Sequence, residues 1–480
     1  MQKILEQSAV FRLLSVFFGW IGAKWHKSRL VTWFLSPSRS LARVKSSVFF
    51  KAGQAGHRAW STAFQKLGLT RVLEGSIFKQ LYIWCLIPAF LAPFLPTMAL
   101  VCCVLVAFFS YAVRLGTEPE IRSALSPVNK YVLLFAAVYL IATMTSVTVS
   151  GSIFTGLITV LFVLFTIVFN NAVTTKRQAD FAVGLLVTAG AAVAAYGVYQ
   201  YLFYTPETVG AWVDNDMFSD ITNRVYSTLG NPNVLAEYLL LVTPFAAACA
   251  LNGKTWLQRL FFAGCFVLMA VCMVVTYSRG GYIGLILAAA VFLVMLDARF
   301  ILLGIAAIIA LYFFLPQTVI ERFASIGNMS DSSTSYRVSI WLGTLSMLKD
   351  YWFSGIGPGT AAFNLVYPAY GYNTISAPHA HNLYLQLICD AGILGIVLFL
   401  LMLFSYFRTT LAAFSKERDK SSRIYLAAAV SAVCGYLLQG MTDYSFYNNR
   451  VTFLFWVVLA LGLALARRSS MTEGQIWSRS

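Results

Sequence analysis

Long hydrophobic runs separated by short polar stretches make up the chain from residue 81 onward. A membrane-spanning helix needs about 20 apolar residues, or fewer where short helices pair, and twelve runs meet this condition. The predicted spans are 81–95, 97–113, 129–148, 151–170, 181–204, 232–251, 257–277, 280–297, 299–316, 383–408, 422–441 and 451–467. The first two share one apolar stretch, in which Pro88, Pro93 and Pro96 indicate a hairpin. The pattern predicts an all-α polytopic membrane protein.

Composition excludes a soluble multidomain protein. Of the 480 residues, 59 % are hydrophobic and 11 % are charged, whereas a soluble domain carries about 25 % charged residues. So few charges cannot cover the surface of a soluble protein of this length. The eight cysteines all lie in predicted spans, where a free cysteine behaves as a small hydrophobic residue.

Residues 1–80 show a different pattern. They hold 13 lysines and arginines against Glu6 and Glu74, which is +11 of the formal net charge of +16. Basic residues interrupt every apolar run, so we expect amphipathic helices on an anionic, cytoplasmic membrane surface, with membrane lipids as partners. A charge of +16 also raises nucleic-acid binding, but the many aromatic residues favour the membrane, and no nucleic-acid partner is expected.

Loop charge predicts the topology. With the amino terminus inside, every loop on that side carries arginine or lysine, while the opposite loop 205–231 holds four acids and one arginine. This asymmetry places both termini in the cytoplasm. The predicted units are the basic segment 1–80, the transmembrane domain 81–467 and a short tail 468–480. Residues 317–382 form a large extracytoplasmic loop between the ninth and tenth spans.

The large loop contains a predicted helix over residues 337–350. Its expected apolar side consists of Val338, Trp341, Leu342, Leu345 and Leu348. A glycine-rich stretch, 355–359, ends this helix, and several aromatic residues follow it. Such aromatic residues fit either a membrane-interface belt or a surface that stacks on sugar rings.

Histidines and arginines supply the candidate chemistry. His379 and His381 lie where the loop re-enters the membrane, and Arg279 lies between two spans that have almost no loop between them. A cation at that depth is costly unless it pairs or faces a polar cavity. Arginine rather than lysine suits bidentate binding of phosphate. The other arginines expected on the same face are Arg224, Arg322, Arg337 and Arg450. These residues fit a lipid-linked phosphate substrate.

The segment HNLYLQLICDAGILG begins at His381, and nine residues separate Asn382 from Gly392, which Gly395 follows. This pattern resembles the O-antigen ligase/polymerase family, whose mark is His-Asn or His-Ser followed at fixed spacing by GxxG. Three further landmarks are similar to the family: SRGG around Arg279, the Arg337 helix with GIGPG, and RVYSTLGNPNVLAEYLL over 224–240. The resemblance covers roughly residues 80–467.

The resemblance implies a membrane glycosyltransferase with a GT-C-like bundle of about twelve helices. Such an enzyme moves a glycan from undecaprenyl pyrophosphate to an acceptor hydroxyl of a glycan, lipid or protein, as a surface-polysaccharide ligase or polymerase. The reaction would occur on the outer face of the cytoplasmic membrane, without a cofactor. By the same resemblance, Arg279 and Arg337 would bind the pyrophosphate and stabilise its charge. His381 would activate or orient the acceptor hydroxyl.

Other polar residues near these landmarks are candidates for substrate binding. They are His379, Asn382, Arg224, Asn231, Asn233, Tyr336 and Asp443. Gly392 and Gly395 are expected to allow close packing of the helix that begins near Asn382. Asp214 and Asp216 match a DxD motif that holds a metal in many sugar transferases, but acids of an exposed loop ordinarily face solvent. No metal site is assigned.

Three alternatives remain open from the sequence. A transporter is the first, since the resemblance extends to a branch of putative bicarbonate transporters, with Glu237 or Asp390 as a coupling site. No repeated halves with paired helix breaks are found. The second is the choice between ligase and polymerase, which depends on the acceptor. A non-catalytic scaffold is the third, and it would leave the arginines and His381 unexplained.

Overall fold

The structure, a computed structural model, describes residues 16–17, 19–20, 24, 27–36, 48–118, 126–203 and 224–471. All regular elements of these residues are helices, which confirms the predicted all-α class. Before the bundle, the described residues include the helices α1 (Arg29–Leu35), α2 (Val48–Lys66) and α3 (Leu69–Leu73). The bundle helices up to the large loop are α4 (Leu81–Leu91), α5 (Thr97–Thr117), α6 (Asn129–Met144), α7 (Val149–Ala172), α8 (Lys176–Phe203), α9 (Pro232–Asn252), α10 (Trp256–Val275), α11 (Arg279–Leu296) and α12 (Phe300–Tyr312). The loop contains α13 (Gln317–Ala324), α14 (Ser332–Tyr351) and α15 (Thr360–Val366), and the bundle ends with α16 (Leu383–Lys416), α17 (Lys420–Gln439) and α18 (Asn449–Met471).

Each predicted span contains one bundle helix. Among the described residues, nine helices are long and apolar enough to cross a membrane, and α4, α6 and α12 are shorter apolar helices. The chain is therefore a multi-pass membrane protein, and the number of crossings stays a prediction. The expected hairpin is present, since α4 ends at Leu91 and α5 starts after Pro96. Pro88 lies inside α4, so the turn depends on the later two prolines.

Two glycines bring α11 and α17 into close contact. A Cβ atom on Gly284 would lie 2.8 Å from the carbonyl oxygen of Gly435, and one on Gly435 would lie 2.7 Å from that of Gly284. Small residues let helix backbones approach in this way. The contact places the start of α11 beside the turn after α17, where a Cβ on Gly280 would meet Thr442. We call this end of the bundle, where α9, α11, α16 and α18 begin, the loop end.

The helix α16 is kinked at its first family glycine. Gly392 has φ 64° and ψ −168°, a region that essentially only glycine adopts. The chain after α14 fills the break, because the Ile356 N–H donates to the Cys389 carbonyl at 2.6 Å and the Ile393 N–H donates to the Trp352 carbonyl at 2.8 Å. Gly392 thus permits a break in the helix, and the chain after α14 packs closely against it.

The apolar side predicted for α14 is only partly its buried side, since Leu348 is buried but other predicted positions are not. Leu342 and Leu345 are exposed, whereas Ile340, Thr344 and Met347 are buried. The buried side packs against α15 and the chain that leads to α16, forming a second small core. Both sides of this helix carry apolar residues, so hydrophobicity alone does not identify its buried side.

Basic residues gather at the opposite end of the bundle, which we call the basic end. There α2 lies across the end of α5: the Trp60 indole donates to the Ala112 carbonyl at 2.9 Å, and His57 Nε2 lies 3.0 Å from the Leu115 carbonyl. The Arg408 side chain of α16 donates to the Phe34 carbonyl after α1 at 3.1 Å. The described part of residues 1–80 is therefore attached to the end remote from the large loop.

Candidate functional site

His381 and Asp443 form a hydrogen-bonded pair at the loop end. Their Nδ1 and Oδ1 atoms lie 3.1 Å apart. A carboxylate oxygen can only accept, so the imidazole proton lies on Nδ1 and the Nε2 atom of the neutral ring is a proton acceptor. The histidine backbone has φ 46°, a conformation that is rare for residues other than glycine and is found mainly at functional sites.

Asn382 holds the start of α16. Its side-chain oxygen accepts from the N–H groups of Tyr384 and Leu385 at 2.9 and 3.0 Å, and its amide donates to the Met441 carbonyl at 2.7 Å. The helix begins at Leu383, as the sequence predicts. The asparagine of the family motif therefore caps the helix and ties it to the turn that carries Asp443.

His379 lies beneath His381 and is only 6 % exposed. Its Nδ1 atom accepts from the His381 backbone N–H at 3.2 Å, and its ring packs against Tyr444 and Tyr447. Burial, together with the neighbouring His381, lowers the pKa of His379 to about 3. The ring is thus a neutral support for the His381 backbone.

Asp443 accepts hydrogen bonds on both oxygens. Besides His381, Oδ1 accepts from the Tyr444 N–H at 2.9 Å, while Oδ2 accepts from the Asn233 amide at 3.1 Å and lies 3.9 Å from Arg337 Nη2. Burial opposes its ionisation, but the His381 hydrogen bond and the nearby positive charges hold the pKa of Asp443 well below its usual range. The carboxylate is charged at any neutral pH.

Arg279 forms a second ion pair. Its Nη2 atom lies 2.5 Å from Asp331 Oδ2, and Nη1 donates to the side chain and carbonyl of Ser325 at 3.1 and 3.3 Å. Arg322 approaches the other oxygen of Asp331 at 3.6 Å. Although burial acts in the opposite direction, hydrogen bonds from Thr334 and Arg279 hold the pKa of Asp331 below its usual range.

Arg337 lies on the first turns of α14, whose amino-terminal cap is Asp331. Its Nη1 atom donates to the Ser333 hydroxyl at 2.6 Å, and its Nε atom has no hydrogen-bond partner among the described residues. The side chain is 19 % exposed. The neighbouring Tyr336 donates its hydroxyl to the Ser376 carbonyl at 3.0 Å, and its ring edge lies against His381. The guanidinium of Arg337 therefore lies near Asp443, the partner of His381, and its buried Nε donor has no partner among the described residues.

The third landmark, 224–240, supports the same site from α9. Asn231 caps α9 by accepting from the Asn233 and Val234 N–H groups. Arg224 is buried and donates to Asn233 Oδ1 at 3.1 Å and to the Thr276 carbonyl at 2.9 Å. Asn233 thus connects this arginine to Asp443. Asn231 and Asn233 thus make their hydrogen bonds within the protein.

Arg224, Arg279, Arg322 and Arg337 form one cluster. Burial, together with repulsion from the other arginines, lowers the pKa of Arg224 to about 9 and that of Arg322 to about 10. The cluster contains two aspartates, Asp331 and Asp443, against four guanidinium groups. This arrangement attracts anions.

The structure brings together most of the predicted site residues: His379, His381, Asn382, Arg224, Asn231, Asn233, Tyr336, Arg279, Arg337 and Asp443. Gly392 lies at the kink of α16, and a Cβ on Gly395 would meet Ala391. Sequence reasoning assigned no role to Asp331, although the polar run Asp-Ser-Ser-Thr before a helix is a capping signal that marks it. Asp214 and Asp216 lie outside the described residues.

Residues 264–400 match the family model described as O-antigen ligase. The match contains Arg279, Arg337 and His381, and it ends before Asp443. No curated protein matches the chain. The family match supports the resemblance to the O-antigen ligase/polymerase family, and it supports an O-antigen ligase-type membrane glycosyltransferase in general terms.

Proposed function

We propose that the chain transfers a glycan from undecaprenyl pyrophosphate to an acceptor hydroxyl at the loop end of the bundle. The observation that carries this proposal is the position of the His381–Asp443 pair beside the arginine cluster. A proton acceptor and a binding site for a large anion are the two groups that such a transfer needs. The O-antigen ligase family match agrees with this chemistry.

His381 acts on the acceptor. Its Nε2 atom takes the proton of the acceptor hydroxyl while the hydroxyl oxygen forms a bond to the anomeric carbon of the donor glycan. Asp443 fixes the ring and its tautomer through the 3.1 Å hydrogen bond, and its negative charge stabilises the imidazolium that forms. Asp443 is therefore a positioning residue, and His381 is the catalytic base.

Arg279 and Arg337 act on the leaving group. As the bond between the anomeric carbon and the pyrophosphate oxygen breaks, its electron pair leaves with undecaprenyl pyrophosphate, whose negative charge increases. Guanidinium groups already held in place by Asp331 and Ser333 stabilise this charge without rearrangement. Donor binding is common to ligases and polymerases, so these roles apply to either acceptor class.

The membrane orientation forms part of the proposal. We place the loop end on the extracytoplasmic face of the cytoplasmic membrane and both termini in the cytoplasm, since the arginine-rich and lysine-rich loops lie at the basic end. On α2, Lys51, Arg58 and Lys66 are exposed, which suits contact with anionic lipid headgroups. A fluorescent protein fused after Ser480 should fluoresce, because it folds in the cytoplasm; a dark, exported fusion would contradict this orientation.

The transfer is tested with the full chain in lipid nanodiscs. The substrates are an undecaprenyl-pyrophosphate-linked glycan and a hydroxyl acceptor, and the product measured is undecaprenyl pyrophosphate. His381→Ala should lower the rate by about 10²–10⁴-fold. His57→Ala, a histidine change at the basic end, is the matched control and should leave the rate unchanged. Consumption of the donor at the wild-type rate by the His381→Ala protein, or bicarbonate transport without donor consumption by the wild type, would overturn the proposal.

A further inference from the structure

Asp390 is a fully buried carboxylate for which the proposed transfer has no direct use. It lies in α16, just before the kink, and has no exposed surface. Its Oδ2 atom accepts from the hydroxyls of Tyr139 at 2.5 Å and Tyr444 at 3.2 Å, and its Oδ1 atom accepts from the Gln386 amide at 2.8 Å. The backbone N–H of Gly359, in the GIGPG segment, also donates to it. All of these donors are neutral, so none of these contacts is an ion pair. Through them, the carboxylate connects four chain segments, namely α16 itself, α6, the turn that carries Tyr444 and the GIGPG segment.

One of these contacts leads to the histidine loop. The Gln386 side chain donates to Asp390 through Nε2 and accepts the Ala380 backbone N–H through Oε1 at 2.8 Å. Ala380 lies between His379 and His381. Because a carboxylate only accepts, Asp390 permits one orientation of the Gln386 amide, the orientation that holds the Ala380 N–H.

Another contact leads to the partner of His381. Tyr444 donates its hydroxyl to Asp390, and its backbone N–H donates to Asp443 Oδ1 at 2.9 Å. The Tyr444 ring also packs against His379. Asp390 therefore connects to both halves of the hydrogen-bonded pair, through one intermediate side chain on each side.

We propose that Asp390 is a positioning residue that sets the His381–Asp443 hydrogen bond by holding the loops on which the two residues lie. This inference rests on the proposed function for its catalytic consequence, although the effect on the imidazole is independent of it. A displacement of about 1 Å at a reacting group lowers a rate by about 10²-fold. A small shift of either loop is therefore enough to impair transfer.

Asp390→Asn tests the proposal with little change in shape. If the NH₂ group of the new amide faces Gln386, two amide donors meet; if it faces the two tyrosines, their hydroxyls must rotate from donating to accepting. We expect kcat to fall by roughly 10–100-fold while the KM values of donor and acceptor stay unchanged. In the His381→Ala background the same change should have no further effect, because the residue that it positions is missing. An equal loss in both backgrounds would assign Asp390 a merely structural role.

Two tyrosine variants form a matched pair. Tyr444→Phe and Tyr139→Phe each remove one hydroxyl donor to the same Asp390 oxygen, but only Tyr444 adjoins Asp443. The proposal predicts a lower kcat for Tyr444→Phe and a kcat near that of the wild type for Tyr139→Phe. A structural role predicts the opposite order, since the Tyr139 bond is the shorter one. Gln386→Met, which removes only the connection to the histidine loop, serves as the second variant if Asp390→Asn does not fold.

A spectroscopic measurement separates this inference from the proposed transfer. In nanodiscs containing ¹⁵N-histidine protein, the His381 ring, identified by its loss in His381→Gln, should show its proton on Nδ1. Asp390→Asn or Gln386→Met should move this signal toward a mixture of tautomers, and Tyr139→Phe should leave it in place. If wild-type protein consumes no lipid-linked glycan but the signal moves, the transfer is wrong and the positioning role stands. An unchanged His381 signal in folded Asp390→Asn and Gln386→Met proteins would refute the inference.

Discussion

Replacement of Asp443 by asparagine removes one charge from the site and keeps the side-chain shape. In the native chain both carboxylate oxygens accept hydrogen bonds, from His381 and the Tyr444 N–H on one side and from Asn233 on the other. Asn233 cannot turn its amide to adapt, because its oxygen accepts from the buried Arg224 at 3.1 Å. The surrounding donors therefore require two acceptor atoms at position 443.

An asparagine supplies only one acceptor atom. If its oxygen faces His381, its NH₂ group meets the Asn233 NH₂ group. If its oxygen faces Asn233, the NH₂ group meets the His381 ring, which must then place its proton on Nε2 and can no longer accept one there. The first orientation strains the loop and the second removes the base. In both, the negative charge that stabilises the imidazolium is absent.

The expected loss is that of general-base catalysis, about 10²–10⁴-fold in kcat, which corresponds to about 2.7–5.4 kcal/mol of activation free energy. The assay is the initial rate of undecaprenyl pyrophosphate release in nanodiscs at saturating donor and acceptor, from pH 6 to 8.5. Raising the pH should not restore the Asp443→Asn rate, because the tautomer and not the protonation state is at fault. The donor KM should change little, since the contact between Asp443 and Arg337 is long at 3.9 Å.

The control is Asp297→Asn, an aspartate at the basic end that pairs with Arg299 two residues away. This variant should transfer glycan as the wild type does. An Asp443→Asn protein that inserts normally and keeps more than about a tenth of the wild-type kcat would refute the role of Asp443, since general-base assistance contributes at least about 10²-fold. A rate that recovers at high pH would refute the tautomer argument alone.

Three further changes test the remaining parts of the site and fold. Gly392→Ala should lower the yield of folded protein and its melting temperature. The backbone angles of Gly392 cost about 1–3 kcal/mol in other residues, and the new Cβ would overlap a backbone carbonyl. The control is Gly184→Ala, whose Cβ would face open space and which should be neutral in the same thermal-melting assay. The pKa of His379 is about 3 in the folded protein, against 6.5 for an ordinary histidine. Between these two pH values, only the unfolded chain binds a proton at His379. The free energy of unfolding should therefore fall by about 1.4 kcal/mol for each pH unit below 6.5. His379→Asn, which keeps an acceptor but does not titrate, should show less of this decrease in its melting temperature. Arg279→Ala should lower kcat/KM for the donor by roughly 10²–10³-fold, while Arg299→Ala at the other end of α11 should not, and equal donor kinetics for the two variants would contradict the pyrophosphate role.

The helices could be predicted well because their signal is local. A span is recognised by its apolar length, and caps such as Asn382 before α16 are recognised by residue type. The buried side of α14 could not be predicted, since Leu342 and Ile340 are equally hydrophobic and only the packing of the large loop distinguishes them.

Most residues of the candidate site can be named from the sequence, but the contacts among them cannot. Arg279 stands out because a cation near a membrane boundary is costly unless it pairs or faces a polar cavity, while the resemblance to the O-antigen ligase/polymerase family singles out His381 and Arg337. Their partners come from remote parts of the chain: Asp443 follows His381 by 62 residues, and Asp331 follows Arg279 by 52. No local pattern records such pairings, so sequence reasoning named Asp443 without its contact and overlooked Asp331.

The two aspartates of the cluster have different partners, which explains how one site can hold both a proton acceptor and a binding site for an anion. A proton acceptor requires a histidine whose tautomer and orientation are fixed, whereas a binding site for the leaving group requires positive charge. Asp443 supplies the orientation and keeps its own charge, while Asp331 holds Arg279 with a separate carboxylate. Four arginines against these two aspartates leave positive charge available for the proposed pyrophosphate leaving group. In a chain with only 11 % charged residues, this concentration of arginines at one end of the bundle is better suited to a multiply charged leaving group than to a small monoanion in transit.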